Sequence, residues 1–323
     1  MRVVVVLFWI MLCAFSQSSL AQTCCSGGVP ISANLGLPPG SNGTWQFSLS
    51  YDLNVLKTLK DGEVKLDDNA RERVTQSMLF QTGYSITERF SADFFISYVK
   101  QERTIRQFNN VDYVSTNGIG DAALLIKYSL TEPGKNRFLL TVAAGPKMPT
   151  GRTDFTREDG IPLNADLQPG SGAWDGLFWA SGIYKFDFRP TFNISATTIY
   201  SLKGKNNDYF NGQTYQFGDE FQAIISFNDN FVLGKNILDA SLNFRYRKAL
   251  RDRFNDFTMP NTGGEWVFFA PSIAYNFNQN IAINANFEIP LYGNVEGTQL
   301  SPTYRLNTGV FVRINKKNEI LKL

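Results

Sequence analysis

Thr44-Trp-Gln-Phe-Ser-Leu-Ser-Tyr-Asp-Leu-Asn-Val55 alternates without exception. Trp45, Phe47, Leu49, Tyr51, Leu53 and Val55 fall on one face and polar residues on the other, the period of two that marks a long strand with one apolar side. The same alternation recurs down the chain. Phe90, Ala92, Phe94, Ile96 and Tyr98 oppose Ser91, Asp93 and Ser97, and Phe192, Ile194, Ala196, Thr198, Tyr200 and Leu202 make a further face. Ile281 to Leu291 and Tyr304 to Ile314 repeat it near the end. About twelve strands of roughly ten or more residues can be read this way, the length that crosses a bilayer at a tilt of about 45°.

The connections carry the second half of the argument. Thr87-Glu-Arg89, Thr131 to Asn136, Arg189-Pro190, Asn228-Asp-Asn230 and Asn278-Gln-Asn280 read as short turns. Between them stand long polar stretches at Gln101 to Asn117, Gly145 to Asp175 and Leu250 to Gly264. A soluble sandwich has little reason to make every second turn short, whereas a transmembrane antiparallel β-barrel puts short turns in the periplasm and long loops outside. Tyr84, Tyr128, Tyr184, Tyr275 and Phe277 lie near the short turns, where an interfacial aromatic girdle belongs.

Composition agrees with an all-β outer-membrane barrel. Aromatic residues are 14% of the 323, with 27 Phe and 13 Tyr, and the formal charge is only +2. No basic cluster is large enough for a nucleic-acid surface, so the expected partners are outer-membrane lipid, the barrel-assembly machinery and a small solute. Residues 1–21, with Arg2 ahead of an apolar run from Val3 to Phe15, read as a cleaved signal peptide too short to span a membrane. Residues 22–42 form an irregular segment, a tail or a plug, residues 43–315 the barrel, and residues 316–323 a polar tail. Cys24 and Cys25, the pair left beyond the signal, are adjacent and cannot staple distant elements. The chain has no His, which removes the usual catalytic triads and imidazole metal sites, so neither enzyme activity, metal nor cofactor is expected.

If the apolar faces meet lipid, the opposite faces line the lumen. The inward candidates there are Asp52, Arg73, Asp93, Asp121, Lys127, Lys147, Glu220, Asp239, Arg245, Arg247, Glu288, Arg305 and Arg313. Charges in a narrow barrel must be paired and hydrogen-bonded, so each is first expected in an internal network, while the set could still fix selectivity. Eight strands leave an interior that side chains fill and sixteen leave an open channel, so twelve suggests a narrow or gated passage.

Gly145 to Asp175 is the longest irregular connection. Its prolines and glycines forbid a continuous helix or ladder, and a connection this long usually carries function. Pro149 and Gly151 at one end, and Pro169, Gly170, Gly172, Trp174 and Asp175 at the other, are the expected anchors of a gate at the outer mouth. Arg152, Asp154, Arg157, Glu158 and Asp159 between them are expected in solvent.

Three motifs in order carry a family resemblance: Gly118-Ile-Gly-Asp-Ala-Ala-Leu-Leu-Ile-Lys-Tyr128, Lys147-Met-Pro-Thr-Gly151 and Leu167-Gln-Pro-Gly-Ser-Gly-Ala-Trp-Asp175. Together they resemble the outer-membrane barrel family named for the meta-cleavage pathway of phenol degradation. The resemblance implies passive transport of small molecules, hydrophobic or aromatic ones among them, with no residue roles carried over. The alternative expectation is a nonconducting structural or adhesive barrel that binds partners through its long loops.

Overall fold

A computed structural model of the chain describes residues 42–132 and 136–315. The expected signal peptide, most of the irregular segment with its two cysteines, and the polar C-terminal tail lie outside these residues.

Eleven strands close into a single ring: Trp45–Gly62, Arg71–Ser85, Phe90–Gln107, Ala122–Ser129, Phe138–Met148, Asp175–Lys185, Asn193–Leu202, Glu220–Leu233, Asn236–Ala249, Gly264–Asn276 and Ile281–Ile314. Every neighbouring pair is antiparallel, and the ring is sealed by the first strand against the last, from Trp45↔Ile314 to Gly62↔Val295. A closed antiparallel ring needs an even number of passes, and the 34-residue strand Ile281–Ile314 provides the extra one. Its first part pairs with Gly264–Asn276 and its second with Trp45–Gly62. Gly297, at φ 78°, sits where the chain reverses. Beyond that reversal Thr308 Oγ1 donates to the Asn284 carbonyl at 3.0 Å, and the Phe287 and Tyr304 rings lie 6.1 Å apart. The wall therefore has twelve passes.

Closure leaves no free sheet edge, which is the condition for strands to cross a membrane. Burial follows the alternation: along Phe90–Gln107, Ser91, Asp93, Phe95, Ser97, Val99 and Gln101 are buried while Phe90 and Tyr98 are exposed. Leu49, Met78, Ile126, Phe178, Ile225, Leu242 and Ile273 are among the large apolar side chains on the outside. An apolar exterior on this scale is a lipid-facing surface. At the end that holds both described termini, Trp45 packs on Tyr84 at 4.6 Å, Phe90 on Tyr128 at 4.6 Å and Tyr275 on Phe277 at 5.0 Å. That end, with its short turns and aromatic girdle, is periplasmic.

Three connections differ from their sequence reading. Gln101 to Asn117 is not a loop, because the ladder with Asn110–Ile119 runs from Tyr98↔Ile119 to Gln107↔Asn110 and reverses tightly at Phe108, φ 52°. Asn228-Asp-Asn230 does not turn either, since the pairing of Glu220–Leu233 with Asn236–Ala249 continues to Leu233↔Asn236, beside Gly234 at φ 65°. The last outer connection is the tight reversal at Gly297. Short and long connections therefore do not alternate strictly, and two of the six outer connections are tight hairpins. Tyr215 and Phe217, whose spacing from Phe221 to Phe227 continues the alternation of a wall strand, stand instead in or beside a small four-stranded sheet above the wall, formed by Lys205–Phe210, Gln213–Gln216, Arg253–Phe254 and Phe257–Thr258.

Candidate functional site

The connection from Pro149 to Trp174 leaves the wall at the outer end and turns back into the barrel. Its first half, with Arg152, Asp154, Arg157, Glu158 and Asp159, stays exposed. Its second half is buried from Ala165 to Ser171 around a short 3-10 turn, Ala165–Leu167. Inward-facing wall residues receive it. Arg73 donates to Asp166 Oδ2 at 2.5 Å and also bonds the Asp166 carbonyl and Gln101. Thr116 Oγ1 donates to the Leu167 carbonyl at 2.5 Å, and Gln101 Nε2 to the Gln168 carbonyl at 3.0 Å. From the other side Tyr209 O–H reaches the Leu163 carbonyl at 3.0 Å and Asn206 Nδ2 the Ser171 carbonyl at 3.2 Å. The backbone of an irregular segment inside a barrel needs such partners, and here side chains supply them.

The two limbs of the loop cross at Gly151 and Gly170. A Cβ on either residue would come within 2.6 Å of the other's Cα, so only glycine fits at the crossing. Beside it Asp121, wholly buried, gathers both limbs: Oδ1 accepts the Gly151 N–H at 3.1 Å, and Oδ2 accepts the Ser171 N–H at 2.9 Å and the Ser171 hydroxyl at 2.7 Å. Lys147 Nζ pairs with Asp121 and lies 3.1 Å from Asp175 Oδ2, which also faces Lys203 at 3.3 Å. The three ordered motifs thus meet at one buried knot of two lysines and two aspartates. Pro149, Gly172 and Trp174 flank the knot; Trp174 is exposed, and its carbonyl would lie 2.0 Å from a Cβ on Gly204. Pro169 packs over Gly118.

Most of the remaining inward charges form pairs further along the wall. Arg245 holds Glu288 through both oxygens, at 2.8 and 2.5 Å, and Gln222 at 3.2 Å, with its guanidinium 4.2 Å above the Phe268 ring. Arg247 holds Glu220 at 2.7 Å and stacks 5.1 Å from the Trp266 ring. Lys127 pairs with Asp93, which also accepts from Gln81 at 3.1 Å. Arg305 grips Asp52 at 3.0 and 2.8 Å. Arg313, near the periplasmic end, lies over the Phe311 ring at 5.6 Å. Asp239 accepts from Asn276 at 2.8 Å.

One group of inward residues escaped the sequence reading. Leu79, Phe95, Ala123, Leu125, Ala143, Leu177, Trp179 and Ile199 form a buried apolar cluster on six consecutive wall passes. It lies on the periplasmic side of the Lys147 knot, and Lys127 Nζ sits 5.4 Å above the Trp179 ring. The available signal was broken alternation: Phe94-Phe95-Ile96 and Leu124-Leu125-Ile126 leave an apolar side chain on each face.

Above the wall, Asp252 accepts from Tyr215 O–H at 2.7 Å and the Gly218 N–H at 2.8 Å. Burial raises its carboxyl pKa to about 6, against the hydrogen bonds that lower it. Burial likewise raises the Tyr215 and Tyr209 hydroxyls, each also beside the charge of Asp166.

The sequence pattern of the family described as "Putative MetA-pathway of phenol degradation" matches residues 57–305. The chain belongs to this family. Among solved structures, an outer membrane channel from Pseudomonas putida F1 superposes with a TM-score of 0.65 at 13% identity, over 88% of this chain and 100% of that one. The transport unit of the autotransporter AIDA-I from Escherichia coli gives 0.50 at 10% identity, over 87% and 93%. At such identities the likeness is one of fold, and the fold is that of Gram-negative outer-membrane barrels. Comparison with curated proteins finds no match. The protein is an outer-membrane β-barrel of the phenol-degradation family.

Proposed function

We propose that the barrel is a passive channel for small, weakly charged molecules, hydrophobic and aromatic ones included, through a lumen that the inward loop narrows. The observation that carries this reading is the buried apolar cluster inside a barrel whose other inward charges are largely paired. An apolar patch in the lumen lowers the barrier for a solute that sheds water easily, while paired charges provide no net field to draw ions. The loop lies across the outer part of the lumen and is held by a compact set of contacts, which suits a gate. The Pseudomonas putida protein that shares this fold is an outer membrane channel, which supports the same direction. Liposome swelling tests it: vesicles holding the purified barrel should admit small neutral solutes faster than ions of similar size. Vesicles that stay sealed to every solute, with the barrel folded, would remove transport and leave the nonconducting, partner-binding reading.

A further inference from the structure

We propose that a cleft on the outer flank of the wall binds the phosphorylated head of an outer-leaflet glycolipid, whose acyl chains run down the seam between the first and last strands. The site faces lipid and not the lumen, so it is independent of transport. The connection from Glu63 to Ala70 folds back over the outside of the barrel. It is tied to the first strand by the pair Lys60↔Lys65 and by the Leu66 N–H, which donates to the Leu59 carbonyl at 2.9 Å. At its start Glu63 accepts from the hydroxyl of Tyr292, an exposed wall residue, at 2.8 Å. Between this connection and the seam lies a cleft of about 370 Å³, walled by Lys57, Thr58, Thr303, Lys65 and Asn69 among others. At about 30 Å³ per water it holds roughly twelve waters, room for a phosphate and the sugar that carries it.

Donors dominate the cleft. The Lys65 amine has no ion pair or hydrogen bond among the described residues. Lys57 pairs with Glu72 at 2.7 Å and still leaves 53% of its side chain exposed. Thr303 Oγ1 accepts the Lys57 N–H at 2.9 Å and lies 3.1 Å from Thr58 Oγ1, so one of the two hydroxyls donates to the other and one hydroxyl hydrogen is left for a ligand. Of the two carboxylates in the lining, Asp68 is already engaged: Oδ1 accepts the Ala70 N–H at 3.1 Å and Oδ2 lies 3.3 Å from Arg71. Asp67 alone stays open. Two ammonium groups, a hydroxyl and an amide against one open carboxylate favour an anion, and a phosphate accepts several such donors at once. The surface below the cleft says what the phosphate is attached to. On the outward face of the seam Val55↔Tyr304, Leu53↔Leu306 and Leu49↔Val310 stack as an apolar ladder, with Leu49, Tyr304, Leu306 and Val310 exposed. A cationic cleft directly above an apolar ladder matches an amphiphile standing in the leaflet, its charged head at the rim and its chains along the wall. Free phosphate would use the cleft and leave the ladder bare.

The full-length barrel, purified in an uncharged detergent, is titrated with diphosphoryl lipid A, with the dephosphorylated lipid and with inorganic phosphate, and bound lipid is counted by native mass spectrometry. The expected result is one retained diphosphoryl lipid A, weakened about tenfold or more in Lys57→Gln with Lys65→Gln, as for the loss of charge-assisted hydrogen bonds. Lys100→Gln with Lys248→Gln, at two exposed lysines on the outside of other passes, should leave the affinity unchanged. A heat-induced shift in electrophoretic mobility confirms that each variant is folded. Equal retention of the dephosphorylated lipid, equal weakening by both pairs of substitutions, no weakening by Lys57→Gln with Lys65→Gln, or displacement of the lipid by an equal concentration of inorganic phosphate would each overturn the proposal.

Discussion

Replacing Asp121 with Asn should release the inward loop without opening the wall. The buried knot balances two lysines, Lys147 and Lys203, against Asp121 and Asp175. Asn keeps the shape of Asp but removes one negative charge, which leaves Lys147 sharing Asp175 with Lys203 at an excess of one positive charge. Breaking one member of a buried pair costs about 3–5 kcal/mol, and the amide also gives up one of the acceptors that hold Gly151 and Ser171. The cost falls on the closed loop, because an opened loop lets water reach Lys147. At about 1.4 kcal/mol per tenfold, the open form should gain by roughly 10² to 10³ or more. Hydrogen exchange of the 163–175 segment measures this gain, with Gly170, whose N–H bonds the Arg152 carbonyl at 2.9 Å, as the reporter. Asp121→Asn combined with Lys147→Met should recover most of the protection, since removing both partners restores the balance of Asp175 with Lys203. Unchanged exchange in the single variant, with the barrel still shifting its electrophoretic mobility on heating, would refute the assignment of the knot as the latch.

Other changes test other parts of the lumen. Arg245→Gln with Arg247→Gln leaves Glu288 and Glu220 without their cations, so the reversal potential across a planar bilayer should move toward cation selectivity; no movement would take both residues off the conducting path. Gly170→Ala puts a methyl against Gly151 at the crossing of the limbs, and should speed exchange of the loop while the wall keeps its protection. Burial raises the Asp252 pKa to about 6, above its ordinary value near 3.8. The folded outer sheet therefore holds this proton more tightly than the unfolded one, and packing around Asp252 should be strongest below about pH 4 and weaken as pH rises through 6. Asp252→Asn should flatten that dependence, read by exchange of residues 213–218.

The barrel was legible where its physics is periodic. Trp45 to Val55 alternates because one face meets lipid and the other the lumen, and that contrast lasts as long as the strand stays in the membrane. It failed where the strand leaves the membrane. Lys100, Glu102, Arg103 and Arg106 look like a loop because both faces there meet water or protein, yet the backbone ladder continues to Gln107↔Asn110. Asn228-Asp-Asn230 has turn composition, but the next tight reversal is at Gly234, where the positive φ is found. The inward charges could be named from alternation, and their pairing could not, because partners such as Arg73 and Asp166 stand 93 residues apart. The same holds for the knot: each motif was visible by itself, and it takes the pairing of three neighbouring strands, with Lys147 opposite both Ala123 and Asp175, and the return of the loop to bring Asp121, Lys147, Ser171 and Asp175 together.

The arrangement of charge inside the wall bears on what such a lumen can pass. Arg245 with Glu288, Arg247 with Glu220, Lys127 with Asp93 and Arg305 with Asp52 each place opposite signs within hydrogen-bonding distance. Their fields largely cancel beyond a few ångströms, so an ion entering the barrel finds fixed dipoles in place of a surplus of either sign. In the proposed channel it must still surrender hydration at the apolar cluster around Phe95, Leu125, Leu177 and Trp179, where nothing replaces the lost water, and desolvating a charge there is far more costly than desolvating a neutral group. A neutral solute meets the smaller penalty, and an apolar surface on it gains from the contact. Discrimination between ions and neutral molecules then needs no dedicated binding residue. Removing the apolar side chains, for example by Leu177→Ser, should therefore reduce the preference for neutral solutes in liposome swelling even with every charge pair left in place, and an unaltered preference would place the discrimination in the loop instead.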